Sequence, residues 1–184
     1  MNLKKIFYAQ GVVYELGKWL ILAILIIVLV NFFIVTVHIV QGPSMEPNFS
    51  TGEIILTNKL SYLISQPQRG DAVIIKFPGD PQKTKYIKRI IGLPGEKLEI
   101  KNGNIYINNS LLVESYIADE VKTWPDMTVD IPKDEYFIIG DNRPNSNDSR
   151  YWGTARKGDL IGKGFFILSP FSKWGFIPPV YYNI

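Results

Sequence analysis

The chain of 184 residues has no cysteine and one histidine, His38. Disulfide scaffolds and cysteine nucleophiles are therefore excluded, and a Cys/His zinc centre has no ligand set. The lack of cysteine is compatible with an oxidising compartment. Basic tracts are missing too: the 20 Lys and Arg are scattered among 17 Asp and Glu, and the net charge is only +3. Nucleic acid is thus not indicated as a partner. Convincing amphipathic helices are scarce, whereas hydrophobic residues make up 46%, enough for a single core of ordinary domain size.

The one long apolar run is Trp19–Val37, interrupted only by Asn31 and Thr36. At about 1.5 Å per residue it matches a hydrocarbon core of about 30 Å. A cleavable leader would have a shorter apolar region, about 7–15 residues, closed by a small-x-small site, which VTVHIVQG does not supply. Lys4, Lys5 and Lys18 precede the run against Glu15 alone, so the positive-inside rule puts the N-terminus in the cytoplasm. The expected organisation is a cytoplasmic segment 1–18, part of it a short lead-in helix, a transmembrane helix 19–37 and an extracytoplasmic domain 38–184.

Beyond the span, short β-rich runs alternate with breakers. Strands are expected at Glu53–Thr57, Ala72–Phe77, Thr84–Ile91 and Tyr136–Ile139, with a last one around Gly164–Leu168. Pro78-Gly79-Asp80-Pro81 closes the second of these. Lys97–Ile107 alternates polar and apolar residues around Asn102-Gly103, the strongest short-range hairpin signal. Residues 108–135 read as a peripheral loop with at most a further strand and carry no legible function. The fold class is therefore mainly β, an antiparallel, coiled or partly barrel-like domain behind a single N-terminal transmembrane helix. The tail holds Phe171, Trp174, Phe176, Tyr181 and Tyr182 among prolines, suited equally to a membrane interface and to capping the core.

Chemistry must come from what remains. Ser44 sits in Gln41-Gly42-Pro43-Ser44-Met45-Glu46-Pro47, where the prolines argue against helix. It is either a plain turn residue or a presented hydroxyl. If it is a nucleophile, a lysine or carboxylate must take its proton. Lys88 lies in Tyr86-Ile87-Lys88-Arg89-Ile90-Ile91; burial there would lower its pKa from about 10.4 by up to about 3–5 units, making a neutral base. Otherwise it projects from a solvent face. His38 is a poor base for Ser44, because six extended steps separate the two by roughly 20 Å; a histidine at the membrane interface is the expected reading.

Three segments together resemble the motif boxes of bacterial type I signal peptidases, in order behind an anchor. They are Gly42–Pro47, Tyr86–Glu96 and Gly140–Gly153, the last reading GDNRPNSNDSRYWG. With the anchor the resemblance covers nearly the whole chain, 97–135 contributing little. It implies a membrane-anchored serine endopeptidase that removes N-terminal signal peptides after a small-x-small site by a Ser/Lys dyad, with Ser44 as nucleophile and Lys88 as general base. Ser146 is similar to the family serine that orients the lysine, and Arg89, Asp148 and Arg150 match bracing residues. Asp141 and Arg143 are expected to shape the loop.

The Ser44 N–H is expected in the oxyanion hole. Some relatives carry a hydroxyl side chain two positions before the nucleophile, where this chain has Gly42, which leaves the second donor open. Substrate is expected as an added strand, with Val40, Gln41, Met45, Tyr86 and Ile87 as candidate walls. The implied partners are signal-peptide-bearing preproteins, a lipid bilayer and the secretion machinery, in a bacterial cell membrane, with no cofactor and no metal. Two other readings stay open: a catalytically silent, membrane-tethered binding module of the same fold, and a Ser/Lys self-cleaving regulator, for whose DNA-binding region residues 1–40 leave no room.

Overall fold

The computed structural model describes residues 3–78, 80–82 and 84–184, with side chains described except at 3–10 and 30–33. Gly79 of the expected turn and the side chains of Lys4, Lys5 and Asn31 therefore lie outside the described residues. The chain opens with helix α1 (Leu3–Phe33), which joins the expected lead-in and span into one element. Within it, Gly11–Leu29 is long and apolar enough to cross a bilayer, with a mean hydropathy of 2.3. The helix stops earlier than the apolar run does. Val35, Thr36 and Val37 already belong to strand β1 (Val35–Ile39), as β-branched residues with a strand to pair with would.

The remaining elements follow in order: β2 (Ile54–Asn58), α2 (Ser61–Ile64), β3 (Ala72–Lys76), β4 (Lys85–Gly92), β5 (Lys97–Lys101), β6 (Asn104–Ile107), β7 (Ser110–Leu111), β8 (Met127–Asp130), β9 (Glu135–Ile139), α3 (Ser149–Trp152), β10 (Ala155–Arg156), β11 (Leu160–Ser169) and β12 (Gly175–Phe176). All described pairings are antiparallel. The larger sheet runs β1-β2-β11-β3-β4-β9-β10, with β12 on β11; the smaller runs β7-β6-β5-β8. The hairpin at Asn102-Gly103 forms as expected, with φ of 52° and 79° at its two turn residues. Residues 108–135, where at most one further strand was expected, supply two short ones: β7, which pairs with β6, and β8, which pairs with β5.

Register irregularities in β11 and β4 bend the larger sheet. It curls far enough that β1 and β4, with three strands between them in the sheet, line a common groove. Strand β3 reads Ala-Val-Ile-Ile-Lys without polar alternation because both its faces are covered. Val73 and Ile75 join Ile90, Tyr136 and Ile138 on one side, while Ala72 and Ile74 join Val40, Met45, Ile55 and Ile87 on the other. A third cluster, Ile91, Leu98, Ile100, Ile105, Ile107, Phe137 and Ile139, welds the two sheets together. Phe137 is completely buried there. Phe137→Ala is expected to destabilise the domain by about 3–5 kcal/mol, measured by denaturant unfolding of the full chain in detergent.

Candidate active site

Ser44 and Lys88 come together. Lys88 Nζ lies 2.5 Å from Ser44 Oγ, although the residues are far apart in sequence, because the larger sheet delivers β4 beside the turn that follows β1. The turn is anchored by Met45, which is completely buried among Val40, Phe49, Ile55 and Ile87. It is tightened by Glu46 N–H donating to the Pro43 carbonyl and Phe49 N–H to that of Met45. Gly42 has φ +81° with no neighbour near a built Cβ. Its smallness is thus a backbone requirement, since any side chain at this left-handed position would be strained.

Lys88 is 2% exposed. Burial lowers its pKa from 10.5 to about 8, against the opposing pull of the Asp148 and Asp141 carboxylates and with some help from Arg150. Desolvation wins because neither carboxylate is free to serve the lysine. Arg89 holds Asp141 with two contacts, Nε to Oδ1 at 2.8 Å and Nη2 to Oδ2 at 2.6 Å. Arg150 holds Asp148 in the same way, both contacts at 2.8 Å. These bidentate, charge-assisted pairs use the carboxylate lone pairs and cancel their charge locally.

The loop after β9 is fitted to the Ser44 turn. Asn142 donates its N–H to the Ser44 carbonyl and its Nδ2 to the Pro43 carbonyl, both at 3.0 Å. A Cβ on Gly140 would collide with the Ser44 carbonyl oxygen and the Ser146 hydroxyl, so glycine permits the approach. Asp148 accepts the Gly140 N–H at 3.0 Å. Ser146 is buried beside Gly140, and its Oγ has no hydrogen-bond partner among the described residues. It is thus brought to the site without being bonded to Lys88.

Three arginines around the site reach further than their sequence context suggested. Arg143 is 2% exposed and is held by Glu114, with Nη1 to Oε2 at 2.8 Å and Nη2 to Oε1 at 2.5 Å, and by the Thr123 hydroxyl. Arg150 also donates to the carbonyls of Trp124, Arg143 and Ser146. Arg89 lies 4.2 Å from the centre of the Tyr116 ring, and Asn48 Nδ2 bridges the Tyr116 carbonyl and Asp141. Glu114, Tyr116, Thr123 and Trp124 come from the segment that showed no function in sequence. The available signal was three arginines in strand and loop positions with too few nearby acids to pair them.

The groove of about 340 Å³ is lined by residues 37–41 of the β1 side, 84–87 of the β4 side, Ile55 and Ile74. Of the five candidate wall residues, Val40, Gln41, Tyr86 and Ile87 line it; Met45 does not, being core beneath the turn. His38 lies on the groove and not beside Ser44; burial, then the charges of Lys85 and Lys59, lower its pKa to about 4. Among the described residues no His/Asp/Glu cluster could hold a metal ion.

A family model described as "Signal peptidase, peptidase S26" matches residues 13–169. A probable signal peptidase I-2 of Synechocystis is 35% identical over 168 residues, covering 89% of this chain and 76% of that protein. Signal peptidase I of Bacillus amyloliquefaciens is 38% identical over 168 residues, covering 86% of each. A crystal structure of a signal peptidase I from Enterococcus faecalis aligns with a TM-score of 0.47 at 31% identity, over 54% of this chain and 97% of that one.

Glu114→Ala would leave the Arg143 guanidinium buried without its carboxylate. The loss is expected to be about 3–5 kcal/mol, read as a lowered unfolding midpoint.

Proposed function

Since the chain belongs to the signal peptidase family of S26 peptidases, and is with it a serine endopeptidase, we propose that it cleaves signal peptides from exported preproteins through a Ser44/Lys88 dyad. The observation that carries this reading is the 2.5 Å contact between Ser44 Oγ and a buried lysine whose pKa has fallen to about 8. Neutral Lys88 takes the Ser44 proton as Oγ bonds to the scissile carbonyl carbon. The Ser44 N–H receives the resulting oxyanion. Lys88 then returns the proton to the leaving amine, which departs with the mature chain and leaves an acyl ester on Ser44. A water gives its proton to Lys88 and attacks the ester, and collapse releases the signal peptide as Lys88 passes that proton to Ser44 Oγ, restoring the hydroxyl and the neutral lysine. When Lys88 carries the proton, the Ser146 hydroxyl accepts one of its N–H bonds; Arg89, Asp148 and Arg150 keep the surrounding loop in place.

Substrate enters the groove as an added strand. Both backbone groups of Val40 are turned to the strand side, bonding to Glu53 and Gly52, so Ile39 and Gln41 turn theirs outward to the groove. Opposite them, β9 pairs with β4 only from Arg89 onward among the described residues, leaving the edge at 85–88 free. Lys88 lies level with the first residue before the cut, so Tyr86 lies level with the third. The apolar floor of Val40, Ile55, Ile74 and Ile87 suits small side chains at these two alternate positions.

The first helix anchors the chain in the bacterial cell membrane, N-terminus in the cytoplasm and residues from His38 outside. Strand β1 begins two residues after the helix ends, and Lys59 N–H is bonded to the Ile34 carbonyl at 2.9 Å, which keeps the groove near the bilayer. Delivery of preproteins by the secretion machinery fits this placement.

Ser44→Ala and Lys88→Ala are each expected to abolish cleavage of a small-x-small preprotein in detergent; turnover by Ser44→Ala would defeat the mechanism. Because the active form of Lys88 is the neutral one, kcat/KM is expected to rise about tenfold per pH unit up to about 8, the Lys88 pKa, and to level off above it.

A further inference from the structure

The ion pair between Lys173 and Glu53 belongs neither to the dyad nor to the arginine network. Lys173 Nζ reaches Glu53 Oε1 at 2.6 Å and Ser50 Oγ at 3.4 Å. Glu53 is 3% exposed, and its Oε2 is buried with no hydrogen-bond partner among the described residues. A carboxylate in such surroundings is strongly disfavoured unless a cation stays beside it. Lys173 therefore governs where the Glu53 side chain sits.

The lysine comes from a distant element. It ends a short 3₁₀ turn, Phe171–Lys173, that follows β11. The turn is stiffened by aromatic contacts: Phe171 stacks on Trp174 with centroids 5.6 Å apart, and Trp174 meets Phe166 edge-on at 5.7 Å. The carboxylate, in turn, belongs to the residue that carries the groove wall. The Glu53 backbone carbonyl accepts the Val40 N–H at 2.8 Å, and the Gly52 N–H donates to the Val40 carbonyl at 2.9 Å. Val40 is the residue between Ile39 and Gln41, whose outward backbone groups form the edge offered to substrate.

We propose that Lys173 is a positioning residue that, through Glu53 and Val40, sets the substrate edge Ile39–Gln41 against the opposite edge of β4. The proposal rests on the strand-addition reading given above. Displacement of that edge weakens the hydrogen bonds that hold the substrate strand. The chemistry at Ser44 is affected less, because Asn142, from the loop after β9, holds the Pro43 and Ser44 carbonyls separately. The pair therefore acts on binding.

The test compares the purified full chain in detergent with Lys173→Met, Lys173→Arg and the double change Glu53→Gln with Lys173→Met, all on one peptide spanning a small-x-small site. Lys173→Met is expected to raise KM about tenfold with kcat per active site within about twofold, and Lys173→Arg to restore KM. The double variant removes the unpaired charge, so it regains thermal stability while KM stays raised; it serves if Lys173→Met alone does not fold. Unchanged KM in the folded variants, with only the unfolding temperature lowered, overturns the proposal. An inactive wild type would instead count against the peptidase reading, so the two failures are distinct.

Discussion

The site depends on one constraint: a lysine must be kept dry without a carboxylate of its own. Lys88 is 2% exposed, yet its position close to Asp141 and Asp148 would ordinarily hold it protonated. The fold meets the constraint by giving each nearby acid a guanidinium. Arg89 takes Asp141, Arg150 takes Asp148, and Arg143, which would otherwise be a third unpaired charge, takes Glu114. With three cations set against three anions, desolvation decides the state of Lys88. Buried pairs of this kind are weak contributors to net stability; their value here is electrostatic and geometric.

Geometry follows from the same pairs. Arg150 gathers the carbonyls of Trp124, Arg143 and Ser146, and Asp148 holds the Gly140 N–H. The loop so formed presents Asn142 to the backbone of Pro43 and Ser44, while the missing Cβ of Gly140 lets the two segments touch. Met45 fixes the Ser44 turn from below. Ser44 and Lys88 are thus held from different elements that meet at a single 2.5 Å contact, the fixed geometry that the proposed dyad needs.

Much of this was legible in the chain. The strands at 54–58, 72–76, 85–92 and 135–139 and the hairpin at Asn102-Gly103 lie where β-rich runs and breakers put them, because local propensity and global packing agree there. Ser44 and Lys88 were visible through their motif context, and their proximity is a product of the sheet. The helix end was misplaced, since Val35–Val37 are as apolar as a membrane span and only pairing with β2 makes them a strand. Met45 was misplaced for a related reason: adjacency to Ser44 does not say which way a side chain faces in a tight turn. Glu114 and Thr123 were invisible, because an irregular segment without periodicity carries no sign of the buried arginine it will meet.

Burial beside already paired carboxylates lets Lys88 lose its proton at a pH of about 8, well below an ordinary lysine. The most direct measurement is a ¹³C NMR titration of the lysine side chains in the full-length protein in detergent, with the Lys88 resonance assigned by its loss in Lys88→Met. A midpoint at about 8 is the expected result, and one at the ordinary lysine value of 10.5 would contradict the account.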